Sequence, residues 1–296
     1  MSDRWTRRPV LLFGASGQIG SALRRELSHD PRVVGWAALP WSSIGDRRLL
    51  RACDLRERLA EPLVRGVPCD VIFANGVTDP GLPQDEIFFS NVEFPQRVIE
   101  ATLRQGDFRY LTLGTVLEHF PEACAHNPYL RSKLELGHWI AEAAARPGAA
   151  GRLLHLRLHT LYGGPPKPHM FLGQIAKALE ENSLFRMSHG DQLREYHHVD
   201  DIARALVAIL SREWCFGPLL EIHSGQPVRL VDLACGIFRA FGKEDLLRVG
   251  ETPEALGENR DRVFPRSEAW LLPAFREPIL GVIEFLRGVV SPAKAP

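Results

Sequence analysis

Three evenly spaced glycines constrain this chain more than any other feature: Gly14-Ala-Ser16-Gly17-Gln18-Ile19-Gly20. They follow an apolar run, Val10–Phe13, and lead into an amphipathic stretch, Gln18–Leu27, so the local pattern is strand, tight turn, helix. In that setting Gly14 permits the turn, Gly17 lets a ligand approach the backbone, and Gly20 lets helix and strand pack closely. The N–H groups that open the helix are then available to a pyrophosphate. A glycine-rich connector is the bland alternative; the strand–turn–helix context favours a dinucleotide site.

The chain continues in the same idiom. Short apolar runs at Arg32–Trp36, Val71–Ala74, Arg109–Leu113 and Leu153–Leu158 read as strands. Between them Leu55–Val64, Phe88–Leu103 (with Pro95 inside it) and Tyr129–Ala145 read as helices. Pro128 stands where a first helical turn tolerates proline. Strands alternating with helices imply βαβ units and a parallel sheet. The breaker cluster Gly163-Gly164-Pro165-Pro166-Lys167-Pro168 then takes the chain out of that sheet. Helices follow at Phe171–Glu181, Asp200–Leu210, Leu230–Phe241 and Ile279–Arg287, with a strand at Leu219–Ile222 and a fraying tail at Ser291–Pro296. The expected fold class is α/β, a Rossmann-type doubly wound parallel sheet with a smaller C-terminal substrate lobe. The expected domains are 1–160, with parts of 195–225, and a lobe from 161–194 and 225–296.

Charge and cysteine usage exclude several classes. Lys plus Arg and Asp plus Glu are 36 each, so no net field recruits nucleic acid or a membrane surface. Five cysteines (Cys53, Cys69, Cys124, Cys215, Cys235) form neither Cys-x-x-Cys pairs nor a zinc spacing, which suits reduced thiols in a cytoplasmic protein. No stretch approaches the roughly 18 apolar residues of a membrane span. The polar opening segment, running straight into a strand, argues against a signal peptide. Eleven histidines show no helical metal spacing, and the neighbours His197 and His198 point to opposite faces of any strand, so no metal is expected.

Tyr129 and Lys133, four residues apart, share one helix face. An ammonium beside a phenol lowers its pKa from about 10 toward the working pH, which suits proton exchange at a carbinol oxygen. The spacing alone also arises by chance. The alternative readings are a helix N-cap for Asp54, an Asx turn for Asn75 and a turn hydroxyl for Thr115.

Taken jointly, Gly14/Gly17/Gly20, Asp54-Leu55, Asn75-Gly76, Thr115, Tyr129/Lys133, Arg157…Tyr162-Gly163 and Arg194-Glu-Tyr-His-His-Val-Asp-Asp201 resemble the extended short-chain dehydrogenase/reductase family over about residues 10 to 210. The resemblance implies an NAD(P)-dependent enzyme acting on a nucleotide diphosphate sugar, working as a homodimer through the helices at Phe88–Leu103 and Tyr129–Ala145. It assigns Tyr129 as acid/base, Lys133 to the nicotinamide ribose and Thr115 to the substrate oxygen. It assigns Gly14, Ser16, Gly17, Gln18, Ile19, Gly20, Asp54, Leu55, Ala74, Asn75, Gly76, Asn91 and Leu113 to the cofactor. Thr160, Phe171, Arg194 and Glu118 fall to the substrate, although a solvated Glu118 is the commoner reading of such a residue.

Departures from the family pattern are informative. Sugar dehydratases of the family place an Asp-Glu pair after the Thr, where this chain has Val116 and Leu117, so dehydration is disfavoured. The short Thr115-to-Tyr129 gap resembles the abequose-type 4-keto-deoxysugar reductases. Arg157 and Arg194 are the best anion-binding candidates: Arg194 suits a diphosphate, or else pairs with Glu195 or Asp191, and Arg157 is alternatively structural, pairing a buried acid such as Asp200 or Asp201. Thr160 replaces the family's Asn. The end of the second strand, Trp36-Ala37, carries no acid for a ribose diol, while Ser42, Ser43 and Arg47 follow, so NADP is favoured over NAD. Trp36 and Trp41 are either core or cover for the adenine. The expected activity is a ketoreductase of a nucleotide-activated 4-keto-6-deoxyhexose. The alternatives are an NAD-dependent C4 epimerase and a non-catalytic dinucleotide sensor.

Overall fold

A computed structural model describes residues 8–30, 36–39 (backbone only), 68–254, 259–268 and 274–290. Asp54, Leu55, Ser42, Ser43, Arg47, Trp41, Cys53, the helix at Leu55–Val64 and the tail at Ser291–Pro296 lie outside the described residues. The chain divides into two compact units, Met1–Leu158 with Ala203–Ile222, and His159–Ile202 with His223–Pro296.

The first unit is built on a six-stranded parallel sheet. Its strands are β1 (Val10–Phe13), β2 (Trp36–Leu39), β3 (Cys69–Phe73), β4 (Phe108–Thr115), β5 (Leu153–Leu158) and β10 (Leu219–Glu221). Their order is β10-β5-β4-β3-β1-β2, so the chain reverses direction across the sheet between β1 and β3. That reversal opens a crevice beyond the carboxyl ends of β1 and β3, where ligands of such sheets bind. β1, β3, β4 and β5 are buried along their whole length, as strands covered on both faces must be. Phe13 stacks on Phe73, and Phe94 meets both edge-on, at centroid separations of 5.1–6.0 Å.

β2 extends to Leu39, three residues beyond its expected end at Trp36. Its register is set by pairing with β1, Val10 opposite Trp36 through Phe13 opposite Leu39, which is a tertiary constraint. The helix expected over Phe88–Leu103 is interrupted. α2 (Gln84–Phe88) passes into a π turn, Phe89–Glu93, before α3 (Phe94–Thr102). Pro95 offers no N–H to the Asn91 carbonyl and crowds it, so the backbone widens there.

At the opposite end of the sheet from the crevice, Asp70 of β3 receives a bidentate pair from Arg109 of β4 at 2.7 and 2.5 Å, and Arg8 Nε at 3.0 Å. Arg109 also donates to the carbonyls of Leu210 and Arg212 and lies over the Trp214 ring, which ties the end of the helix Val199–Leu210 to the sheet.

The second unit holds three two-stranded pairs: β6 (Thr160–Tyr162) with β9 (Tyr196–His198), β7 (Phe185–Met187) with β12 (Leu247–Val249), and β8 (Leu193–Arg194) with β11 (Val228–Arg229). Its core joins Leu172, Ile175 and Leu179 to Leu233, Ile237, Phe238, Val282 and Leu286, drawn from the helices Phe171–Glu181, Leu230–Ala240 and Pro278–Val289.

Breaking a buried ion pair by removing one partner strands the other charge. Asp70→Ala is therefore expected to lower the unfolding free energy by about 3–5 kcal/mol in urea titration. A loss below about 1 kcal/mol would show that the Arg109 guanidinium is solvated in place.

Candidate active site

The first glycine turn behaves as its spacing requires. Gly14 has φ +80°, and a Cβ there would stand 2.5 Å from the Ala74 carbonyl at the end of β3. A Cβ at Gly20 would overlap the Gly14 carbonyl. Gly17 donates its N–H to the Gly14 carbonyl (3.0 Å) and opens helix α1 (Gln18–His29), which has no side-chain cap and no acid in its first turn. Ser16 and Gly17 are exposed, Gln18 and Ile19 half-buried. The helix start is thus bare and uncompensated, as an anion site demands.

Across the crevice, Ala74, Asn75 and Gly76 leave β3 as a loop. Asn75 Nδ2 donates to the Ser90 carbonyl at 3.2 Å, and the Ser90 hydroxyl donates to the Asn75 carbonyl at 3.1 Å. Asn75 Oδ1 is buried and accepts no hydrogen bond among the described residues. Asn91, delivered by the π turn, grips the same loop: Oδ1 accepts the Val77 N–H (2.8 Å), and Nδ2 donates to the Val77 carbonyl and to Ser132 Oγ, both at 2.9 Å. Asn91 therefore acts as a brace for the loop, with both amide hydrogens given to protein.

Helix α5 (Pro128–Ala144) carries the reactive pair; Asn127 caps it through the N–H groups of Tyr129 and Leu130, with Pro128 in its first turn. (α4 is the short helix Pro121–His126 before it.) Lys133 is nearly buried; its Nζ donates to the Leu113 carbonyl at 2.9 Å and lies 5.8 Å from the Tyr129 ring centre. A Cβ on Gly76 would come within 2.7 Å of that Nζ and 3.2 Å of Asn91 Oδ1. One carbonyl for an ammonium with three donors leaves donors over for a ribose diol. The bare helix start, the unpartnered Asn75 oxygen and the under-satisfied Lys133 all suit a nicotinamide dinucleotide.

The expected lowering of the Tyr129 pKa is not what the structure gives. Burial pushes the phenol up to about 12, and the nearby Glu118 charge adds to this. Burial also brings Lys133 down to about 8, with Glu118 opposing. The ammonium proton goes to Leu113 rather than to the phenol, so desolvation prevails.

Thr115 ends β4 and caps the 3-10 turn Val116–His119: its Oγ1 accepts the Leu117 N–H at 3.3 Å, and its N–H donates to Glu118 Oε1 at 2.8 Å. The hydroxyl proton is committed to no acceptor among the described residues. Glu118 is 4% exposed, and its remaining contacts are His155 Nε2 (3.1 Å) and Arg157 Nε (2.8 Å). Burial pushes its pKa up, but His155, the Thr115 N–H and Arg157 outweigh this and hold it below the ordinary carboxylate value. Glu118 is thus a buried anchor, neither solvated nor free for substrate. Arg157 pairs with Glu118 and with Glu221 (3.1 Å), which corrects its expected pairing with Asp200 or Asp201. Asp201 instead holds Arg276 at 3.0 Å.

Sequence reasoning missed Ser132 and His155. Gly114 and Gly137 are the only trace of the latter, since a Cβ at either would meet His155 or Glu118.

The remaining sequence candidates belong to the second unit. Thr160 on β6 donates its N–H to the Glu195 carbonyl (3.2 Å), Phe171 opens a helix and meets Phe185 edge-on (5.7 Å), and Arg194 of β8 pairs with Val228 of β11. Asp191 lies 3.7 Å from Arg229.

Over residues 10–214 the chain matches the NAD dependent epimerase/dehydratase family. It belongs to that family and is an NAD(P)-dependent oxidoreductase of the extended short-chain dehydrogenase/reductase type. Its fold is similar to MoeE5 in complex with UDP-glucose and NAD (TM-score 0.71, 22% identity, 96% of this chain and 100% of that one). It is also similar to RMD from Pseudomonas aeruginosa complexed with NADPH (TM-score 0.70, 19% identity, 95% and 99%), and to UDP-glucose 4-epimerase from Thermotoga maritima (TM-score 0.73, 14% identity, 96% and 100%). Protein CapI of Staphylococcus aureus is 28% identical over 132 residues, 37% of this chain and 39% of that relative's length. No described helix is long and apolar enough to cross a membrane.

Two variants check the site. Gly76→Ala displaces the Lys133 ammonium and is expected to raise the dinucleotide Kd at least about 10-fold in fluorescence titration with an unchanged Tm; unchanged affinity would detach Lys133 from cofactor binding. Glu118→Gln removes a charge that holds protons on both Tyr129 and Lys133, so the alkaline limb of the pH–rate profile should move to lower pH. A limb that stays in place would exclude both groups as its origin.

Proposed function

We propose that the protein is an NADPH-dependent ketoreductase of a nucleotide-activated sugar, with a 4-keto-6-deoxyhexose as the substrate class. One observation carries the reading: the pair Tyr129/Lys133 stands beside a strand end where Val116 and Leu117 can transfer no proton, and the next carboxylate, Glu118, is locked to His155 and Arg157. Proton exchange at one oxygen is provided for; expulsion of a hydroxyl is not.

When bound, the dinucleotide supplies hydride to the carbonyl carbon. The turn at Gly14–Gly20 would hold its pyrophosphate, Asn75 and Gly76 its ribose and phosphates, and Lys133 the nicotinamide ribose diol. Thr115 would donate a hydrogen bond from its hydroxyl to the carbonyl oxygen and keep its proton. Tyr129, a neutral phenol at working pH because burial raises its pKa to about 12, gives its proton to that oxygen as negative charge develops. Arg194 is the proposed diphosphate ligand, with Thr160 and Phe171 as further substrate contacts. NADPH is preferred in this reading because β2 ends at Leu39 and is followed by Pro40, Trp41 and Ser42, with no carboxylate to take a ribose diol.

The test is NADPH oxidation across CDP-, dTDP- and GDP-linked 4-keto-6-deoxysugars. At least one should be reduced, and Tyr129→Phe should lower kcat by about 10²- to 10⁴-fold. No turnover across the panel, or full activity in Tyr129→Phe, would overturn the reading.

A further inference from the structure

The second unit gathers three histidines and one glutamate that the reduction does not use. His159 precedes β6, Glu195 separates β8 from β9, His197 lies on β9, and His223 opens the segment that returns to this unit. Their spacing in sequence gave no metal signature, because they come from three separate stretches of chain. In space one ligand atom from each of His159, Glu195 and His223 lies within 4.8 Å of the others. His159 Nε2 is 2.7 Å from His223 Nδ1 and 3.8 Å from Glu195 Oε1.

Glu195 is 1% exposed and unevenly satisfied. Its Oε2 accepts the Ser224 N–H (2.5 Å), the Ser224 hydroxyl (2.6 Å) and His197 Nε2 (3.0 Å). Its Oε1, also buried, accepts no hydrogen bond among the described residues. The walls are aromatic: Phe264 stacks on His223 at 4.5 Å and meets His159 edge-on at 5.5 Å, while Phe275 stacks on His197 at 4.3 Å. A carboxylate oxygen left bare in such surroundings is costly unless a cation faces it.

We propose that His159, Glu195 and His223 form a binding site for one first-row divalent transition metal ion of the zinc type. Two imidazole nitrogens and one carboxylate oxygen are zinc's habitual donors, with a fourth position left for water. The ion would take the place of the proton shared between the two imidazoles. Ligand atoms around tetrahedral zinc stand roughly 3.3 Å apart, given metal–ligand distances of about 2.0–2.1 Å. The imidazoles must therefore part by roughly 0.6 Å and Oε1 must close on His159 by about 0.5 Å, which side-chain torsions supply. Ser224 and His197 hold the outer carboxylate oxygen and so aim the inner one, the usual work of an outer shell. The bound ion would clamp β6, β9 and the loop at His223–Gly225 together.

The full-length protein, stripped with EDTA and desalted, is titrated with Zn²⁺ against a chromophoric chelator and separately with Co²⁺. The expected result is one equivalent per chain, visible d–d bands of tetrahedral Co²⁺, and a Tm raised by Zn²⁺. His159→Ala, His223→Ala and the isosteric Glu195→Gln should each weaken uptake at least about 10-fold, while His138→Ala, on an exposed helix face, should leave it unchanged. Absence of stoichiometric uptake by the wild type overturns the proposal, and that measurement stands even where a histidine variant fails to fold. Equal uptake by Glu195→Gln and the wild type overturns it as well.

Discussion

One buried ammonium organises the reactive half of this molecule. Lys133 donates a hydrogen bond to the Leu113 carbonyl on β4, lies close to Gly76 in the loop after β3, and lies alongside the Tyr129 ring one turn earlier on its own helix. A buried charge with a single carbonyl partner among the described residues is tolerable only where a further acceptor arrives. The surroundings are arranged around that need. Gly76 lacks a side chain because the ammonium occupies its place. Asn91 fixes the Gly76–Val77 backbone from below, and the π turn created ahead of Pro95 is what brings Asn91 there.

A second set of contacts fixes the protonation state of the phenol. Glu118 has been recruited into a buried ion cluster with His155, Arg157 and, through Arg157, Glu221. The space for it comes from Gly114 and Gly137. In that position the carboxylate does no proton transfer of its own, yet its charge reinforces the effect of burial on Tyr129. The phenol is thus kept as an acid, the form a reductase needs. Thr115 belongs to both sets: its backbone and oxygen build the Glu118 cap, while its hydroxyl proton remains uncommitted.

Much of this was legible in the sequence because it is local. Val10–Phe13, Leu153–Leu158 and Phe171–Glu181 are apolar or amphipathic runs closed by strong turn signals, and they form over those very residues. The glycine turn and the i, i+4 pair carry their geometry in their spacing. What escaped is long-range. The end of β2 depends on its register against β1, and the partner of Glu118 lies 37 residues away on another strand. The direction of the Tyr129 shift was misjudged for the same reason: helical spacing reveals a neighbouring ammonium, but burial and the Glu118 charge arise from tertiary structure. The His159–Glu195–His223 cluster left no sequence trace, since three separate segments converge to make it.

The central claim is that Tyr129 and Lys133 serve a net reduction, with hydride drawn from an exchanging dinucleotide. It is tested most directly by supplying NADPH deuterated at both C4 positions of the dihydronicotinamide with the 4-keto sugar, and weighing the product. The account predicts one deuterium on the new carbinol carbon of every product molecule. A product formed without deuterium, its hydrogen returned from a cofactor that never left the protein, would contradict it.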